Sequence, residues 1–265
     1  MRGMTRDSVV EIFDRKIIWL FGIITLIAVT IIFFSGQVQM GVGPGDAFDM
    51  DTQELNEVLG NPLMRIFTSF VSFLVILSVL ATAGIIPNML VAGRAEFYLS
   101  KPMSRTSLIM NKLFGTFLAY GIIVVVFGLV GYASLYFVHG VSSPNLIWVF
   151  VLNMISLFIW LSITSFAGIV FGSTSMAIVT AALVWVAQLV LQGREFAIQL
   201  VDSKAVEIIL DVLYYIVPNT GELSDITIAV AIDSTVTSWV PVWSSVAFAA
   251  VLLIITLVIF NKKNY

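Results

Sequence analysis

A chain of 265 residues with 59% hydrophobic and only 11% charged residues, and a mean hydropathy of +1.04, is far too apolar for an ordinary water-soluble domain. Its formal net charge of −3 offers no basic footprint for nucleic acid, and the absence of cysteine excludes a disulfide framework and thiolate chemistry. What remains is an all-α polytopic membrane protein, whose elements are marked by apolar runs long enough to cross a bilayer.

Taken in order, residues 1–16 mix Val9, Val10, Ile12 and Phe13 with Arg6, Asp7, Glu11, Asp14, Arg15 and Lys16, the pattern of an amphipathic interfacial helix. A first span follows over 17–34; it leads into Ser35-Gly36-Gln37 and not into a small-residue cleavage site, so it reads as retained. The next loop is acidic, with Asp46, Asp49, Asp51, Glu54 and Glu57, and either attracts cations or is simply solvated. The second span, 66–92, carries Pro87 near its end, where a lost backbone hydrogen bond makes a kink or a hinge.

Residues 93–112 form a charged elbow between two apolar runs. Pro102 ends the incoming helix, Ser104 is placed to cap the next, and Met103 and Leu108 occupy the positions of a hydrophobic staple. A helix over 105–138 is about 50 Å long, against a hydrocarbon core of about 30 Å, so its first turns are expected to project into water before the third span at 113–138. Gly115, Gly121, Gly128 and Gly131 in that span, and Gly168 and Gly172 in the fourth, are small residues that let helices approach closely. His139, the sole histidine, reads as an outer-loop residue beside Gly140.

The fourth and fifth spans, 146–171 and 176–191, hold the polar side chains of the membrane, among them Asn153, Thr164 and Gln188. These three are candidates to line a substrate path, or else to hydrogen-bond between helices. No Asp, Glu, Lys, Arg or His lies inside any of the six spans, so coupling to an ion gradient has no support. The long segment 192–241 alternates apolar and charged residues, breaks at Pro218-Asn219, and is interrupted again by Asp225 and Asp233. It is expected to lie on the surface or to be re-entrant, before a last span at 242–260.

Orientation follows from the basic residues. With the N-terminus in the cytosol, ten of the thirteen Lys and Arg fall inside, in the N-terminal segment, the elbow and Lys262-Lys263. Both termini are then cytosolic. Enzymatic signatures are missing: the sequence has no phosphate-binding G-x-x-x-x-G-K-[ST] loop, no H-E-x-x-H and no G-x-S-x-G elbow, and one histidine supplies too few ligands for a metal site.

In this setting Gly93, Glu96, Leu99-Ser100-Lys101-Pro102, Ser104-Arg105 and Lys112, between the second and third spans, resemble the elbow of permease subunits of ABC-2 type transporters. The run Tyr214-Tyr215-Ile216-Val217-Pro218-Asn219 is similar to that family's segment before the last span. The resemblance implies a coupling helix that docks on a separate ATP-binding subunit. Arg94, Lys101, Arg105 and Lys112 would meet acidic or polar groups of that subunit, Glu96 a basic one, and Pro102 would fix the bend. Arg94-Ala95 departs from the family's more acidic lead-in, which alters the charge expected of the partner. It implies further a pair of permeases in the cytoplasmic membrane, acting as an exporter, with ATP and magnesium held by the partner and no cofactor here. The alternative is a noncatalytic scaffold of permease fold that carries ATPase-driven motion to an extracytoplasmic partner.

Overall fold

The computed structural model describes residues 17–38, 61–91, 104–193, 204, 210, 212–214 and 217–263. The expected interfacial helix at 1–16, the acidic loop and most of the elbow lie outside these residues. The elements are α1 (Ile17–Val38), α2 (Asn61–Thr82), α3 (Ile85–Met89), α4 (Arg105–His139), α5 (Leu146–Phe171), α6 (Thr174–Gln192), α7 (Thr220–Ala231) and α8 (Val240–Lys262). No strand occurs among the described residues. Five helical stretches are long and apolar enough to cross a membrane, with α2 and α3 counted as one, and the apolar stretch within α1, Ile18–Phe34, is shorter. Their outer faces carry exposed apolar side chains such as Trp19, Leu26, Leu183, Trp243 and Ile254, a surface that only lipid or other protein can cover.

The bundle is organised around α5, against which α2, α3, α4, α6, α7 and α8 all pack, while α1 leans on α4 and α2. Phe21 meets Phe127 low on α1 and His139 meets Ile32 near its end, so α1 and α4 run parallel. Phe67 meets Tyr132 while Val71 meets Gly128, and Phe150, Met154 and Phe158 meet Gly128, Gly121 and Phe117 in turn, so α2 and α5 run antiparallel to α4.

Local chemistry explains the boundaries. Ser104 caps α4 by accepting a hydrogen bond from the Ser107 amide at 3.2 Å, and Gly140, at φ 67°, closes its other end in the left-handed region that glycine tolerates. The second span breaks at Ala83-Gly84, one turn before Pro87. The reason is that the proline ring clashes with the carbonyl four residues upstream and offers no N–H to it, so α2 stops and α3 restarts. Gly168 of α5 makes room for that break: a Cβ there would lie 3.0 Å from the Pro87 ring.

Two expectations are corrected. The first turns of α4 do not stand free in water: Leu108 and Ile109 are buried with Ile86, Met89, Ile169 and Phe260, where α3, α5 and α8 also end. His139 is not a loop residue but the last residue of α4, its Nε2 2.9 Å from the Ile32 carbonyl of α1, because the helix runs on until Gly140. Within 192–241, expected to be re-entrant or to lie on the surface, the part after Pro218-Asn219 contains α7, a helix of 12 residues and about 18 Å, too short to span and packed on α2, α5, α6 and α8.

Candidate functional site

Two sites follow from this packing, one at each end of the bundle. At the elbow end, Arg94, Glu96, Lys101 and Pro102 lie outside the described residues, and the other three predicted elbow residues are placed. Ser104 is the helix cap. Arg105 turns inward and donates from Nη1 to the Lys263 carbonyl at 2.9 Å. Beside it the Asn261 amide donates to Thr106 Oγ1 at 2.9 Å, and Lys263 Nζ donates to the carbonyls of Ile169 and Val170 at 3.0 and 3.3 Å. These carbonyls belong to the last turn of α5, which has no intrahelical donors for them, and a cation there also opposes the helix dipole. The starts and ends of α4, α5 and α8 are thereby clasped together. Lys112 departs from its expected role as a docking residue, because it is only 4% exposed, inside the third turn of α4.

At the opposite end, α2 and α6 both pack on α5 and α7 but make little contact with each other, and the gap between them is a cavity of about 300 Å³. Asn153 and Gln188, two of the three residues predicted to line a path, come together there. The Asn153 amide donates to the Val149 carbonyl at 2.9 Å, and its Oδ1 accepts from Ser72 of α2 at 3.2 Å. Gln188 Oε1 accepts from Thr220 of α7 at 2.5 Å, while its Nε2 finds no hydrogen-bond partner among the described residues. So the interhelical bonding and the cavity are one arrangement. Thr164, the third candidate, is not part of it. It is buried, and its hydroxyl is spent on the Trp160 and Leu161 carbonyls of its own helix, at 3.1 and 3.2 Å.

The residues not foreseen come from α7 and α2: Thr220, Asp225 and Ser72. Helix α7 is fixed over the cavity at both ends. Asn219 caps it by accepting from the Glu222 amide at 3.4 Å, and its own N–H donates to Ser245 of α8 at 2.9 Å. Ser143 donates to the Ala231 carbonyl at 2.9 Å, and Asn145 to the Val230 carbonyl and to Asp233 at 3.1 and 2.9 Å. Tyr214 donates to the Glu222 carboxylate.

Asp225 stands at the mouth. Partial burial pushes its carboxyl above the usual carboxylate range, the neighbouring Glu222 adds to the rise, and Arg65 opposes it. A raised folded-state value means that the ionised form is disfavoured on folding. The group's contribution to stability is therefore best at low pH and declines as pH rises from the ordinary carboxylate value through the raised one. Asp225→Asn is expected to raise the thermal transition at neutral pH, with the difference vanishing below about pH 3. An unchanged or lower transition at neutral pH would mean that Arg65 outweighs the other two influences.

With this geometry in hand, comparison with protein-family models and with curated proteins finds no match. The function of the chain is therefore read from its own two sites.

Proposed function

We propose that the chain is the membrane-embedded permease subunit of an ATP-driven transporter of ABC-2 type, an exporter that works as a pair of permeases with separate ATP-binding subunits. The observation that carries this reading is the clasp at the base of the elbow. A partner that moves the elbow moves the start of α4, and the bonds of Arg105, Thr106 and Lys263 pass that displacement to the ends of α5 and α8. Helix α5 touches nearly every other helix and also supplies Asn153 to the cavity at the far end. An ATPase stroke on one side of the membrane thus has a mechanical route to a polar site on the other.

In this reading α1 crosses the membrane as a sixth span, both termini and the elbow are cytosolic by the distribution of Lys and Arg, and ATP and magnesium belong to the partner. The polar lining of the cavity favours transport over a scaffold that merely transmits motion, since a scaffold has no use for one.

The test is co-purification. The tagged chain, extracted from its native membrane in mild detergent, is expected to bring an ATP-binding subunit with it. Charge reversal at Glu96→Lys and Lys101→Glu is expected to reduce the recovered subunit by about tenfold, equivalent to ~1.4 kcal/mol of docking energy. These two positions are chosen because Arg105 is already engaged within the chain, so its replacement would confuse docking with folding. Purification of the wild-type chain without any ATPase would refute the permease reading.

A further inference from the structure

The cavity between α2 and α6 has a chemistry that selects its occupant. Among the described residues that line it there is no Lys or Arg, and the one ionisable side chain among them is Asp225. Glu222, one helical turn away on α7, adds a second carboxylate to the same neighbourhood. Partial burial first and the Glu222 charge second raise the Asp225 carboxyl above its usual range, with Arg65 opposing them. An anion entering would meet this field unaided, whereas a cation would relieve it.

The walls add to this preference. Trp160 of α5 and Trp185 of α6 both line the cavity, and indole faces attract ammonium groups, most strongly where water is excluded. Deeper in, Gln188 is only 3% exposed and holds an amide Nε2 that no described residue accepts from. An unpaired buried donor of this kind costs free energy that an acceptor oxygen brought within reach would recover. A cavity of about 300 Å³ sits at the lower end of the range for small-molecule sites.

We infer that this cavity binds a small organic cation, an amine or quaternary ammonium carrying a hydrogen-bond-accepting oxygen. Asp225 and the two indoles hold the ammonium, and the Gln188 amide holds the oxygen. The transporter reading is needed only to call this cation a cargo; the binding itself stands on the cavity. Two sources present the same chemistry, a free amine and the head group of a choline lipid reaching in sideways between α2 and α6.

The experiment uses the purified full-length chain in nanodiscs of phosphatidylglycerol, titrated calorimetrically with choline and with its neutral isostere, in which carbon replaces the nitrogen. Choline is expected to bind saturably and the isostere about tenfold more weakly. Asp225→Asn is expected to abolish that preference, and Asp225→Glu to retain it. Gln188→Leu is expected to weaken both probes alike. Phosphatidylcholine in the nanodisc is expected to compete with choline if the head group is the natural occupant, and to leave its affinity unchanged if a free amine is; both results support the site.

Failure of choline to bind, equal binding of the isostere, or indifference to Asp225→Asn would each overturn the inference. Asp225 is exposed on one side, so its replacement leaves the bundle folded, which the thermal transition of the same sample verifies. No ATP and no partner subunit is present in the titration. A negative result there leaves the coupling reading standing, and a failed co-purification leaves the binding result standing.

Discussion

Gly131→Leu is expected to prevent the bundle from folding, and Gly131→Ala to destabilise it measurably, whereas Gly128→Ala is expected to be nearly neutral. All three follow from what a side chain would meet. A Cβ at Gly131 would lie 2.8 Å from Phe70 Cε1, and one at Gly128 only 2.6 Å from Phe150 Cε1. Contact distance alone ranks Gly128 as the worse site. Room to move reverses the order. Phe150 borders an apolar groove of about 670 Å³ between α4, α5 and α8, into which its ring can swing. Phe70 is only 7% exposed and packed within the main core, so its ring has nowhere to go.

Alanine gains up to about 1 kcal/mol over glycine in a helix interior, and overpacking costs about 1–3 kcal/mol. The two roughly cancel at Gly128, and a net loss of about 1–2 kcal/mol remains at Gly131. Leucine adds three further carbons to the same closed site and exceeds what the core can absorb. Thermal unfolding in detergent checks the ranking, and the double variant Gly131→Ala with Phe70→Leu checks its cause. That pair should be less destabilised than the sum of its parts by about 1 kcal/mol. Strict additivity would show that the alanine and the Phe70 ring never compete for space.

The same close approaches show what was legible beforehand. Glycines on α4 were read as points of helix contact, and Met154, Phe150 and Phe70 do come against Gly121, Gly128 and Gly131. The cap at Ser104 and the length of α4 were also legible, because capping and proline chemistry are local. Hydropathy misplaced helix ends for a physical reason: it marks what lipid can cover, not where hydrogen bonding stops. Helix α2 begins at Asn61, ahead of the apolar run, with Arg65 exposed on its surface, and α4 takes in Lys112.

Helix α7 escaped notice because Asp225 and Asp233 made its stretch look too polar and broken. The pair Asn219 and Glu222, three residues apart, was nevertheless a cap signature for a helix starting at Thr220. Which polar residues share a cavity was not legible at all. Asn153 and Gln188 line one cavity only because α5 and α6 pack side by side. Thr164 looks equivalent in sequence yet bonds back to its own helix.

The clasp at the elbow yields the second large effect. Lys263→Ala removes the cation from the Ile169 and Val170 carbonyls, leaving two acceptors at the end of α5 to water alone. Charge-assisted hydrogen bonds of this kind contribute about 1.5–3 kcal/mol when sheltered, and partial exposure brings the expected loss to about 1–2 kcal/mol. The more telling consequence is where the loss appears. If the three helix ends act as one unit, amide hydrogen exchange should quicken together in the first turns of α4, the last turn of α5 and the last turn of α8. Exchange around Asn153 and Gln188, at the far end, should be unchanged. Arg105→Gln should produce the same pattern more weakly, since it removes a single bond to the Lys263 carbonyl. Faster exchange confined to the last residues of α8 would mean that Lys263 merely frays with its own helix. The elbow would then have no rigid connection to α5, and a partner's stroke would lose its route to the cavity.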